Sequence, residues 1–117
     1  MTNHLTIRAH ISLLPPTPGG ATYFRTGIRP NHNMGGPDDS DFDIGEIRFL
    51  DRMSLNFGEG CNAIVSFIPR PGLADRLTPG QKWRIQSVRR LVGEGTVLSS
   101  ETFDAFLKLV AAQQAAP

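Results

Sequence analysis

Three aspartates at alternate positions, Asp39, Asp41 and Asp43, come nearest to a ligand set in this 117-residue chain, since the first ligands of a calcium-binding loop are spaced this way. The rest of that pattern is missing. Ile44 stands where the loop needs a glycine to turn, and Leu50 falls where a bidentate glutamate belongs. The segment 38–43 therefore reads as a solvated acidic loop, with weak cation binding left open. His4 and His10 share a face of one predicted strand but lie roughly 20 Å apart along it, too far to hold one ion together. His32 sits alone in a loop. Cys61, the single cysteine, has no histidine or second thiol near it in sequence. No zinc pattern results, and each histidine reads as a surface residue.

Nucleophilic catalysis needs a serine, cysteine or threonine with a base in reach, and neither a G-x-S-x-G elbow nor a comparable motif is present. There is no G-x-x-x-x-G-K-[ST] loop to cradle phosphates. Gly93-Glu94-Gly95 is only a G-x-G, explained more simply as a bend in a strand where glycine relieves crowding. Asp75, His32 and Cys61 are what remains for a catalytic reading. The expectation is a chain with no catalytic residues, no metal and no cofactor. Basic residues offer a different chemistry. Lys82, Arg84, Arg89 and Arg90 cluster around one predicted strand pair, with Arg25 and Arg29 on an earlier strand. Together they are the candidate contacts for an acidic protein or for RNA phosphates. Alternation puts Lys82 and Arg84 on the face opposite Trp83 and Ile85.

Twelve basic against eleven acidic residues leave a formal net charge of +1, too little to announce a nucleic-acid or membrane surface from composition, and no DNA is expected. No stretch approaches the roughly 20 apolar residues of a membrane span, and Met1 to His10 carries Arg8 where a signal peptide needs an apolar run. One thiol allows no internal bridge, which favours a reducing compartment. The expectation is a soluble cytoplasmic protein of one domain, 1–117, monomeric or homodimeric.

Nine prolines and twelve glycines cut the chain into short pieces, which suits strands joined by turns. Leu5, Ile7, Ala9, Ile11 and Leu13 alternate with polar residues and predict the clearest strand. Further strands are predicted at Thr22 to Ile28, Ile44 to Leu50, Cys61 to Ile68, Lys82 to Ser87 and Arg89 to Leu98. Asn31 to Asp43 is polar and reads as an exposed, mobile loop. Phe103, Phe106, Leu107, Val110 and Ala111 then follow the spacing of one helix face. A helix from about Glu101 to Gln113, within 99–114, should start at a Ser99 or Ser100 cap and lay that stripe on the strands, or offer it to a partner.

Three segments add a resemblance. Tyr23-Phe24-Arg25-Thr26-Gly27-Ile28-Arg29-Pro30 is similar to a strand ending Gly-Tyr-Arg-Pro. Gly58-Glu59-Gly60-Cys61-Asn62 with Ala63 to Ile68 is similar to a Pro-Gly-Asp-Asn turn and its apolar strand. Leu77, Trp83-Arg84-Ile85 and Arg90-Leu91-Val92-Gly93-Glu94-Gly95-Thr96-Val97 are similar to a last hairpin ending Arg-Thr-Val-Gly-Ala-Gly-Val-Val. In this order they resemble the C-terminal, third domain of elongation factor Tu, over 5–98. The resemblance implies an all-β fold, a six-stranded antiparallel Greek-key barrel with the C-terminal α-helix added outside it. It also implies a docking role, because in that family the barrel meets the GTPase domain, the exchange factor Ts and the T-stem of aminoacyl-tRNA. Where the family has the turn Arg-Glu-Gly-Gly-Arg, this chain has Gln86-Ser87-Val88-Arg89-Arg90, with Val88 in place of a glycine. The expected function is a non-catalytic module that binds a protein linked to translation, with an RNA- or tRNA-binding accessory as the alternative.

Overall fold

Alternation in Leu5–Leu13 becomes strand β1 in the computed structural model, which describes residues 4–35 and 42–115, and Ile7, Ala9, Ile11 and Leu13 all point into a core. In chain order there follow β2 (Tyr23–Arg25), β3 (Asn31–Asn33), β4 (Asp43–Phe49), β5 (Ser54–Asn56), β6 (Gly60–Phe67), α1 (Leu73–Arg76), β7 (Lys82–Ser87), β8 (Arg90–Ser100) and α2 (Phe103–Ala115). Six of the strands close a barrel in the order β1-β6-β4-β3-β7-β8, with β8 returning to β1, and every pair is antiparallel. β3, β4 and β6 lie side by side while β7 returns beside β3, which is the Greek-key arrangement. The all-β barrel with a C-terminal helix is thus as expected. None of its helices is long and apolar enough to cross a membrane, among the described residues.

Inside, Phe49, Phe67, Trp83 and Ile85 join the β1 residues, and the Phe67 and Trp83 rings meet edge to face with centroids 5.9 Å apart. This is the favoured geometry for aromatic quadrupoles. The interior is too narrow for large side chains from every strand. β8 accordingly contributes Gly95, directly between Ile11 of β1 and Trp83 of β7. The bend expected at Gly93-Glu94-Gly95 is a packing concession of this kind.

The barrel membership differs from expectation. Thr22 to Ile28 is not a barrel strand: only Tyr23–Arg25 is extended, and it pairs with β5 in a separate two-stranded ribbon. Gly27 at φ 94 breaks the extension, leaving a single bridge from Ile28 to Ile47. The sixth barrel strand comes instead from Asn31–Asn33, inside the stretch expected to be a mobile loop. Polar side chains order it. Asn33 Nδ2 donates to Gln86 Oε1 at 2.9 Å, and His32 is bonded at both ring nitrogens inside the core. Asp43 is likewise no solvated acid, since its side chain is 1% exposed and is gripped by the Arg70 guanidinium. Asp39, Asp41 and the rest of 36–41 lie outside the described residues, and the cation question lies there with them. The described residues contain no group of three or more potential metal ligands.

At the C-terminal end β8 runs on to Ser100, which pairs with Ile7 of β1, so neither Ser99 nor Ser100 caps the helix. Thr102 does: its Oγ1 accepts from the Ala105 amide at 3.1 Å. Glu101 bonds the Thr102 amide and Arg8, and these two partners hold its carboxyl below the usual range. Of the predicted apolar stripe only Phe106 is fully buried. Phe103 and Val110 are half-buried, Ala111 is exposed and Leu107 is 48% exposed.

Candidate functional site

Two features stand on the outside of the barrel. The first is the β7–β8 hairpin, whose turn is Val88-Arg89. Val88 adopts φ 56 and is 71% exposed. A β-branched side chain at positive φ is a steric outlier, because its Cβ crowds the backbone. The turn is braced from β3, where Asn31 Nδ2 donates to the Val88 carbonyl at 3.4 Å. Phe24, Ile28, Arg29, Pro30 and Gln86 form a hollow beside it of about 250 Å³. The tip is therefore an apolar knob followed by two arginines, Arg89 and Arg90.

The second feature is a cleft of about 390 Å³ between α2 and the outer face of β4 and β6. His4 holds its upper wall by stacking on Phe103, with ring centroids 4.3 Å apart, and contacts Ser66 Oγ at 3.1 Å. Glu46 lies between two arginines: Arg29 Nη2 reaches Oε1 at 2.8 Å and Arg48 Nε reaches Oε2 at 2.7 Å. Gln113 fastens the far end of α2. Its Nε2 donates to the Phe49 carbonyl at 2.6 Å and its Oε1 accepts from Thr26 Oγ1 at 2.9 Å. Replacing Gln113 by alanine is expected to release this half of the helix at a cost of about 1 to 2 kcal/mol. Amide hydrogen exchange should then quicken about tenfold over 107–115 while the barrel amides keep their protection. Uniform quickening of barrel and helix would refute such a local clamp.

The basic residues singled out from sequence are distributed unevenly. Lys82 and Arg84 do lie on the face opposite the buried Trp83 and Ile85, but Glu94 shares that face. Lys82 Nζ is 3.3 Å from Glu94 Oε1, and Arg84 is the cross-strand partner of Glu94. Arg84 Nε is buried without a hydrogen-bond partner. Arg90 reaches back to Thr17 Oγ1, and Arg89 occupies the exposed turn. Arg29 lines both the hollow and the cleft, whereas Arg25 lies apart on the β2–β5 ribbon. Sequence reasoning missed Glu46, Arg48 and Gln113, which carry no motif. The alternation of β4 gave one faint signal, since it points Glu46 and Arg48 outward together.

The residues left for catalysis do not assemble at either feature. His32 is fully buried in the core, which corrects its reading as a surface residue. Cys61 is buried on β6, where desolvation pushes its thiol pKa up, and Asp75 is exposed on α1. None of the three lines the hollow or the cleft. Neither a protein-family model nor a curated protein sequence matches this chain.

Proposed function

We propose that this chain is a protein-binding module of the cytoplasm that docks a translation-linked partner through the β7–β8 hairpin, as the third domain of elongation factor Tu docks in its parent. One observation carries the reading: an exposed valine is held at positive φ next to Arg89 and Arg90. Such strain costs on the order of 1 to 3 kcal/mol and is characteristic of functional surfaces. Glycine would relieve it, whereas the valine places an apolar side chain on the exposed turn. The partner that fits has an apolar pocket rimmed by carboxylates, which Arg89 and Arg90 would meet. Support of a second kind comes from the motif order along 5–98 that resembles the elongation factor domain.

Val88→Gly is expected to stabilise the fold by about 1 kcal/mol, the relieved strain being partly offset by the greater backbone entropy of glycine when unfolded. The same change should weaken capture of the partner at least tenfold, as loss of an apolar interface anchor does. Urea unfolding measures the first effect. Quantitative mass spectrometry of lysate proteins retained by wild-type and variant beads measures the second. Equal retention by both, or a less stable variant, would defeat the proposal. The RNA reading draws on Arg84, Arg89 and Arg90, but Glu94 among them weakens it. Retention abolished by nuclease, and falling steeply with salt, would favour RNA over protein.

A further inference from the structure

The cleft under α2 combines apolar walls with an unmatched charge. Ile44, Ile68, Phe106, Leu107 and Val110 line it, and Leu107, Ile44 and Ile68 keep 48%, 58% and 48% of their surface exposed. In the same cleft two guanidinium groups share one carboxylate. Arg29 spends Nε and Nη2 on a single oxygen of Glu46, at 3.0 and 2.8 Å, while Arg48 takes the other oxygen. Neither arginine forms an ion pair with a second carboxylate among the described residues. One positive charge is thus left over, beside Glu46 and Arg48 side chains that are only 13% exposed. The spare charge sits on Arg29 at the mouth of the cleft, where a carboxylate can accept charge-assisted hydrogen bonds from its free guanidinium edge.

We infer that the cleft is a binding site for a small organic anion with an apolar body, of the class of medium-chain or aromatic monocarboxylates. Its tail would lie against Phe106, Leu107 and Val110, and its carboxylate against Arg29, whose side chain is 70% exposed and whose Nη1 has no partner among the described residues. The volume of about 390 Å³ falls within the roughly 300 to 1,000 Å³ of small-molecule sites. A neutral apolar ligand would leave the charge unmatched, and a dianion would exceed it beside Glu46. A cation would meet two arginines. The inference goes beyond the hairpin reading and does not rest on it, because its walls include α2, which lies outside the resembling segment.

Sodium octanoate and 1-octanol, titrated separately by calorimetry and followed by amide and side-chain NMR shifts, test it on the full chain. Octanoate is expected to saturate one site, about tenfold more tightly than octanol, since hydrogen bonds to charged groups are worth about that factor. Shifts should centre on α2, His4 and β4. Arg29→Ala should weaken octanoate about tenfold and leave octanol unchanged, while Leu107→Asp should weaken both. Both replacements fall at exposed positions, and circular dichroism confirms folding. Equal affinity for the two ligands, octanoate binding indifferent to Arg29→Ala, or no saturable octanoate binding would each overturn the inference. Loss of this binding leaves the Val88→Gly outcome untouched, so the two readings fail separately.

Discussion

Replacing Gly95 by alanine is expected to destabilise the barrel by about 3 kcal/mol. A Cβ built at this position meets Trp83 Cζ2 at 2.3 Å, Cη2 at 2.4 Å and Cε2 at 2.5 Å. Carbon atoms rest at roughly 3.5 to 4.0 Å, so the overlap cannot be absorbed by small adjustments. The indole cannot swing away. It is 3% exposed, packs on Phe67, and donates from Nε1 to His32 Nδ1 at 3.0 Å. Moving it would add the loss of that buried hydrogen bond to an overpacking penalty of about 1 to 3 kcal/mol. Urea unfolding followed by Trp83 fluorescence measures the loss. In a Trp83→Leu background the same alanine should cost much less, because the obstructing ring is gone. A loss under about 0.5 kcal/mol, or equal penalties in the two backgrounds, would contradict this account.

Acidification from pH 7 to 4 should remove about 3 kcal/mol of stability through His32 alone. The ring is fully buried between a carbonyl and an indole: Nε2 lies 3.0 Å from the Gly45 oxygen, and Trp83 Nε1 donates to Nδ1. A carbonyl only accepts and an indole N–H only donates, so His32 is the neutral tautomer carrying its proton on Nε2. Protonating Nδ1 would place a second donor against the indole and a charge in the core. Burial therefore lowers the pKa from 6.5 to about 4, although the Gly45 hydrogen bond and Asp43 across the β3–β4 pair act in the opposite direction. Below pH 6.5 the unfolded chain takes up a proton that the folded one refuses. Unfolding is favoured by about 1.4 kcal/mol per pH unit until the folded ring titrates near 4. The stability is thus fully present above pH 6.5, is lost as the pH falls through the interval between the two values, and levels off below it. Denaturant titrations at several pH values should show this slope, and a His32→Gln variant, less stable at pH 7, should lack it. Parallel profiles for the two proteins would exclude His32 as the cause.

Where burial follows a local period, the chain's architecture was readable in advance. Leu5–Leu13 and Lys82–Ser87 are strands with the bounds that alternation predicted, and α2 is the helix that its spacing predicted, although of that stripe only Phe106 is buried. Gly95 stood out as a relief of crowding, although its obstructing neighbour, Trp83, could not be named. Asn31–Asn33 was misread because its residues have no apolar period. It is a strand only because Gln86, Gly45 and Trp83, supplied by other strands, satisfy its side chains. Thr22 to Ile28 erred the other way, with a good strand composition interrupted at Gly27.

The candidate sites divide along the same line. Arg89 and the glycine-to-valine departure at Val88 were visible as residue types, but the positive φ that makes Val88 noteworthy is a property of the closed hairpin. The cleft beneath α2 was not visible at all, since Arg29, Glu46, Arg48 and Gln113 come from segments up to 84 positions apart. From sequence alone came the barrel class, its clearest strands and the terminal helix, because side-chain alternation is a property of neighbours along the chain. The tertiary structure decided which polar groups are buried and which charges stay unmatched, because hydrogen bonds and ion pairs are satisfied across space by partners no local pattern specifies.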